Sequence, residues 1–264
     1  MKLYHVDAFT DQPFRGNPAA VCILDSKCPD SWMQSLAQEM NLSETAFLLK
    51  QDDGFSLRWF TPKKEVSLCG HATLATAHIL WQEQYLQPDE PARFHTLSGL
   101  LIAKKKGEQI EMDFPARFTV SAEEQPTLTK AFGVKPMYTR KAAARDDVYL
   151  IELESEAVVK NLAPDFAMLA ASNLRSVIVT SRSDKSEFDF VSRYFAPGAG
   201  INEDPVTGSA HCYLAPYWEP KLNKKTLVGF QASARTGIVE CEWREERVLL
   251  RGKAVTVFKG ELFV

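Results

Sequence analysis

The chain has 264 residues, 45% of them hydrophobic and 25% charged, which matches ordinary globular usage and excludes disordered, collagen-like and disulfide-scaffold classes. Its 31 basic and 34 acidic residues leave a net charge of −3, and the only basic runs, 104–106 and 221–225, are short, so no nucleic-acid partner is expected. At roughly 100–200 residues per domain the length suits one large or two small domains.

The opening segment carries His5 and Asp7 where an export signal needs an unbroken apolar stretch. No apolar run reaches about 18 residues, so no membrane span is expected. The five cysteines, Cys22, Cys28, Cys69, Cys212 and Cys241, are odd in number and show no C-x-x-C spacing. Both features point to the reducing cytoplasm.

In chain order, apolar periodicity predicts a helix over Asp30–Met40 with Asp30 as its N-cap, a strand over Phe55–Phe60, and a helix over Gly70–Glu83. A strand over Gln109–Phe114, a helix over Pro164–Ala171 and a strand over Phe188–Phe195 follow. The last elements are a helix from Gly208 to about Trp218 and a strand over Lys253–Val264.

Two of these segments are alike. Trp59-Phe60-Thr61-Pro62 leads to Cys69-Gly70-His71-Ala72-Thr73, and Tyr194-Phe195-Ala196-Pro197 leads to Thr207-Gly208-Ser209-Ala210-His211. An offset of 138 carries Gly70 onto Gly208 and Gly99 onto Gly237, and the hairpins that follow keep their apolar pattern. One gap of three residues, between the proline and the glycine, completes the alignment. The expectation is an internal duplication: an α+β chain of two pseudo-symmetric domains, residues 1–115 and 116–254, with the last strand, about 255–264, returning to the first.

Each copy starts its helix at a glycine. The first N–H groups of a helix lack internal partners and sit at the positive end of its dipole, so such a start can hold an anion or stabilise charge that develops on a reacting carbon. Gly70 and Gly208 can equally serve tight turns and helix packing. Around them stand Cys69, His71, Asp204, Ser209 and His211. Asp204 before Pro205 is also an ordinary turn starter, and His71 can be a capping donor. His78, His95 and His211 read as structural.

Cys69, a thiol at a helix start, can act as an acid, base or nucleophile. Its counterpart is Thr207, which disfavours a two-thiol racemase. Glu44 stands among Leu42, Ala46 and Phe47, and desolvation by such neighbours raises a carboxyl pKa toward the range useful for proton transfer. The competing reading is a capping box, Asn41-x-x-Glu44, but residues 45–50 look like strand rather than helix. There is no H-E-x-x-H, no paired C-x-x-C, no G-x-G-x-x-G and no Walker loop. Neither a metal nor a cofactor is expected.

Taken in order, Asp7-Ala8-Phe9-Thr10, Gly16-Asn17-Pro18-Ala19-Ala20, Asn41-Leu42-Ser43-Glu44-Thr45-Ala46-Phe47, Arg58-Trp59-Phe60-Thr61-Pro62, Cys69-Gly70-His71-Ala72-Thr73 and Asp204-Pro205-Val206-Thr207-Gly208-Ser209-Ala210 resemble the phenazine biosynthesis (PhzF-like) isomerase family over nearly the whole chain. The resemblance implies a diaminopimelate epimerase-like fold: two halves, each a mostly antiparallel β-barrel around a central helix, with the site in the cleft between them. It implies a cofactor-free isomerase, similar to that of trans-2,3-dihydro-3-hydroxyanthranilate, acting on a small acid, and a homodimer. Matched by motif, Glu44 becomes the general acid/base. His71, Asp204 and Ser209 hold substrate groups, Gly70 and Gly208 present backbone donors, and Cys69, Ser43 and Asp7 are further candidates. The alternatives are a one-thiol epimerase or racemase using Cys69 with Glu44, and a non-catalytic small-molecule-binding protein.

Overall fold

A computed structural model of the chain describes residues 1–144 and 147–263. The first part contains strands β1 (Lys2–Ala8) and β2 (Asn17–Leu24), helix α1 (Asp30–Met40), strands β3 (Glu44–Gln51), β4 (Gly54–Phe60) and β5 (Glu65–Val66), helix α2 (Gly70–Gln82), and strands β6 (Ala92–Thr96), β7 (Gly99–Lys106) and β8 (Gln109–Pro115). Next come β9 (Thr119–Ser121), α3 (Pro126–Phe132), β10 (Tyr138–Ala142), β11 (Val148–Glu152), α4 (Glu156–Lys160), α5 (Phe166–Ala171) and β12 (Ser176–Arg182). The chain ends with β13 (Phe190–Ala196), β14 (Ile201–Asp204), α6 (Gly208–Leu222), β15 (Thr226–Gln231), β16 (Gly237–Arg244), β17 (Arg247–Gly252) and β18 (Ala254–Glu261).

This is a mixed α/β protein rich in strand. It divides into two compact units, one of residues up to Asp113 together with the chain from Arg251 onward, the other Phe114–Leu250. In the first, β1 pairs antiparallel with β2 and with β18, with Lys2 opposite Glu261. Val264, the end of the strand expected there, lies outside the described residues.

The duplication is visible in the ladders. In the first unit β1–β2 is antiparallel, β2–β3 parallel, β3–β4 and β4–β5 antiparallel, β4–β6 parallel and β6–β7 antiparallel. In the second, β10–β11, β11–β12, β12–β13, β13–β14, β13–β15 and β15–β16 repeat that series of senses in the same order. Gly99 and Gly237 open the equivalent strands β7 and β16. The extra three residues of the second copy fall where a 3-10 turn, Pro197–Ala199, precedes β14.

Both glycine-led helices are buried nearly all round. Leu74, Ile79 and Leu80 of α2 are wholly buried, and each such side chain stabilises the fold by roughly 1.5–3 kcal/mol. This helix packs against β1, β2, β3 and β18. A separate cluster under α1 joins Met33 and Leu36 to Cys22, Phe47 and Phe60. Its counterpart joins Leu128 and Phe132 to Ile151, Val159 and Phe195. The phenylalanine of each Phe-x-Pro segment thus belongs to a core. Among the described residues no helix is long and apolar enough to cross a membrane.

Several boundaries differ from the sequence reading for identifiable reasons. Pro29, not Asp30, is the N-cap of α1; Asp30 lies in the first turn, where a carboxylate favours the positive helix end, and bonds Arg58 at 2.7 Å. The Asp165 side chain caps α5 at the Met168 N–H, so that helix starts two residues later than expected. Helix α6 runs through Pro216 and continues past Trp218 and Pro220 to Leu222. Burial of Leu214, Tyr217 and Trp218 offsets the lost backbone bonds.

Candidate active site

Strand register explains why motifs far apart in sequence belong together. Ala8 pairs with Asn17 and Val6 with Ala19 across β1 and β2, and Ala19 pairs with Glu44 across β2 and β3. The segments around Asp7, Asn17 and Glu44 therefore share one end of three adjacent strands. Side chains alternate along a strand, so Glu44 lies on the face opposite Phe47, whose ring joins the α1 cluster. That leaves the Glu44 carboxylate facing α2. Asn41, left-handed with φ 49°, ends α1, and β3 begins at Glu44. The capping-box reading of Asn41 and Glu44 is thereby replaced.

The loop beyond β1 is fixed by two devices. The buried Asp7 carboxylate accepts the Phe14 N–H at 2.7 Å. Gly16 has φ +67°, and an added Cβ would lie 2.2 Å from the Ala8 carbonyl oxygen, so only glycine fits there. Asp7 thus performs a loop-holding task. Ser43, half-buried, directly precedes Glu44.

At the start of α2, His71 Nε2 lies 3.4 Å from Glu44 Oε2, and His71 Nδ1 lies 3.5 Å from Cys69 Sγ. The side chains of His71 and Glu44 are 7% and 15% exposed, and Cys69 is buried. Burial holds the His71 imidazole down at about 3, far below its ordinary value. It is therefore neutral at physiological pH, suited to hydrogen bonding. Cys69 is the N-cap of α2 but makes no side-chain cap bond, so no residue-69 side chain covers the N–H groups of the first turn. The Thr73 hydroxyl donates to the Cys69 carbonyl at 2.5 Å.

The second unit presents a related start. Thr207, the N-cap of α6, likewise makes no side-chain cap bond; its hydroxyl donates instead to Asp204 Oδ2. Gly208 is buried and Ser209, beside it, is exposed. His211 Nδ1 lies 2.8 Å from the Thr207 carbonyl, so one ring nitrogen is taken by the helix backbone, while the buried Nε2 has no hydrogen-bond partner. Burial lowers the imidazole to about 4.

Sequence reading missed Gln231. Wholly buried at the end of β15, its Oε1 accepts the Thr207 N–H at 2.8 Å, and its Nε2 donates to the Asp204 carbonyl at 2.9 Å and the Thr207 hydroxyl at 3.1 Å. Ser233 adds a bond to the Pro205 carbonyl at 2.7 Å. Together they set the turn that carries Asp204. A signal existed: Leu227, Gly229 and Gln231 occupy the buried phase of an alternating strand, and a polar residue in that phase needs partners. Cys22, read as core, is buried among apolar neighbours, which pushes its thiol up to about 12.

The family model for phenazine biosynthesis-like proteins matches residues 6–260. An uncharacterized isomerase of Halalkalibacterium halodurans is 52% identical over 99% of this chain and 98% of its own length. The crystal structure of a PhzF-family phenazine biosynthesis protein from Enterococcus faecalis matches with a TM-score of 0.94 at 43% identity, covering 100% of this chain and 99% of that one. A probable proline racemase from Agrobacterium radiobacter shares the fold, with a TM-score of 0.65 at 10% identity over 99% and 92% of the two chains. These relationships define an isomerase of mixed α/β fold. The chain belongs to the phenazine biosynthesis-like (PhzF) family.

Proposed function

We propose that the protein isomerises a small unsaturated carboxylic acid by moving a proton from one carbon to another, with Glu44 as the only acid/base that touches the migrating proton. The observation that carries this reading is the pairing of Glu44 with a buried, neutral His71 at 3.4 Å, beside a helix start without a side-chain cap. In the reaction the Glu44 carboxylate takes a proton from carbon. The electron pair left behind spreads into the conjugated acid, and the Glu44 carboxylic acid returns the proton at another carbon, so the enzyme ends unchanged.

His71 hydrogen-bonds the substrate or Glu44 without adding a positive charge. The Gly70 N–H, in the first turn of α2, favours the negative charge that builds up as the proton leaves. Asp204, Ser209 and the Gly208 N–H of the second unit are assigned to holding polar substrate groups, an amino group among them. The substrate class follows the trans-2,3-dihydro-3-hydroxyanthranilate type of unsaturated cyclic acid. A cytoplasmic homodimer is part of the same proposal, and a one-chain mass by light scattering contradicts the dimer.

The test is incubation in deuterated water with trans-2,3-dihydro-3-hydroxyanthranilate and a panel of related unsaturated cyclic acids. Mass spectrometry and NMR then read double-bond movement and deuterium at carbon. An isomerase moves the double bond of at least one acid; a non-catalytic binding protein leaves all of them unchanged.

A second reading, a one-thiol epimerase, is favoured by Cys69 Sγ lying within 4.8 Å of the donor atoms of both Glu44 and His71. Against it, a neutral His71 withholds the imidazolium that would stabilise a thiolate. Cys69→Ala separates the two: the proton-shuttle isomerase keeps turnover, and the epimerase loses it.

A further inference from the structure

The second unit holds a cavity of about 290 Å³ on the flank of α6, near the small end of the roughly 300–1,000 Å³ that ligand pockets span. Tyr213, Tyr217 and Lys221, four residues apart along the helix, line one side, and Phe118, Thr119 and Arg140 line the other. Tyr217 and Lys221 stand nine and thirteen residues beyond Gly208, roughly 14 and 20 Å along the helix axis. The cavity is therefore set apart from the helix start described above.

Its charges do not balance. Lys221 donates to the Glu152 carboxylate and to the Tyr217 hydroxyl, and Tyr217 donates to Glu152 as well, so that carboxylate is committed. Arg140 reaches only neutral oxygens: the Thr119 hydroxyl at 2.7 Å, the Thr119 carbonyl at 2.6 Å and the Ser121 hydroxyl at 3.5 Å. Arg117, half-buried, lies over the Tyr213 ring at 5.6 Å and has no ion pair or side-chain hydrogen bond among the described residues. Two guanidiniums partly withdrawn from water with no carboxylate beside them favour an anion there.

The first unit fills the equivalent place with its own side chains. Along the repeated ladders, Trp59, Ala46, Val21 and Tyr4 answer to Tyr194, Ile178, Leu150 and Arg140, and Glu83 answers to Lys221 at the 138-residue offset. Tyr4 is wholly buried, its hydroxyl donates to Glu83 at 3.0 Å, and Lys259 pairs with the same carboxylate. With arginine and lysine in place of that tyrosine and glutamate, the second unit keeps a cationic space walled by aromatic rings.

We propose that this cavity binds a small aromatic carboxylate, its ring against Tyr213 and Phe118 and its carboxylate bonded by Arg140 and attracted by Arg117. Aromatic side chains hold a flat ring by offset stacking or edge contact, and a guanidinium offers a carboxylate planar, charge-assisted N–H bonds. The site does not rest on the role given to Glu44.

Calorimetric titration of the full-length protein with 2-naphthoate tests it. Wild-type protein should bind the acid, and 2-naphthalenemethanol, which has the ring without the charge, should bind at least about tenfold more weakly. Arg140→Gln should weaken naphthoate binding at least about tenfold, and Arg117→Gln, which breaks no internal side-chain bond, at least about threefold, with circular dichroism verifying each fold. Lys106→Gln, at an exposed position of β7, and His71→Gln should bind as wild type does. Absence of binding to folded wild-type protein, unchanged affinity in folded Arg140→Gln or in Arg117→Gln, or equal affinity for the alcohol overturns the site. A loss in Lys106→Gln or His71→Gln equal to that in Arg140→Gln assigns the binding to general charge or to the start of α2, and overturns it too.

Discussion

Arg58 and Arg193 make the same contact in the two halves of the chain. Arg58 grips Glu65 through Nε and a terminal nitrogen, both at 2.7 Å, and Arg193 grips Glu203 at 2.7 and 2.9 Å. Each guanidinium also lies over the phenylalanine two residues on, 5.1 Å from the Phe60 ring and 4.8 Å from the Phe195 ring. Each glutamate precedes its helix glycine by five residues, so the pair ties a core strand to the segment that delivers a helix start.

The two clamps should not contribute equally. Arg193, with a side chain 11% exposed, also donates to the Leu162 carbonyl at 2.8 Å, whereas Arg58 spends its third nitrogen on Asp30, 74% exposed. Arg193→Ala should cost about 3 kcal/mol, as for a buried pair broken on one side, and Arg58→Ala about 1 kcal/mol. Urea unfolding at neutral pH measures both, and equal losses would contradict the ranking.

Gln231 should act on substrate affinity from a distance. Replacing it by leucine removes the acceptor for the Thr207 N–H and the donor to the Asp204 carbonyl, a cost of about 1–3 kcal/mol. Because it orients the turn that carries Asp204, Gln231→Leu should raise KM more than it lowers kcat. Unchanged KM with the stability loss present would confine Gln231 to a structural part.

Acid stability should carry the mark of His211. Its folded value of about 4 lies below the ordinary 6.5, so between these the unfolded chain binds the extra proton. Stability from this residue is complete above about pH 6.5 and declines as the pH falls toward 4, by at most about 1.4 kcal/mol per pH unit. In His211→Asn, whose amide can still donate to the Thr207 carbonyl, that part of the slope should vanish. Unfolding curves at several pH values measure the difference, and parallel pH profiles for the two proteins would contradict it.

Much of this architecture was legible in the residues because burial writes periodicity into sequence. The bounds of α1 and the start of α2 agree with the apolar pattern, and the 138-residue offset reappears in equivalent strands beginning at Gly99 and Gly237. Short elements left less of a mark: α3 and α4, of seven and five residues, are too brief for helical periodicity to exceed chance. The site was legible as a set of motifs but not as an arrangement. The pairing of Ala19 with Glu44 and the contact of His71 with Glu44 depend on strand register and helix placement, which no local pattern specifies. Gln231 left only a weak mark, a polar residue in the buried phase of β15, which calls for partners without saying which they are.

The most direct measurement is turnover of Glu44→Gln on an identified substrate. Glutamine keeps the shape and hydrogen-bonding reach of the side chain but cannot take up or return the migrating proton. With wild-type stability and circular dichroism retained, the rate should fall by about 10²- to 10⁴-fold. A variant that is folded and fully active would show that the proton moves through some other group.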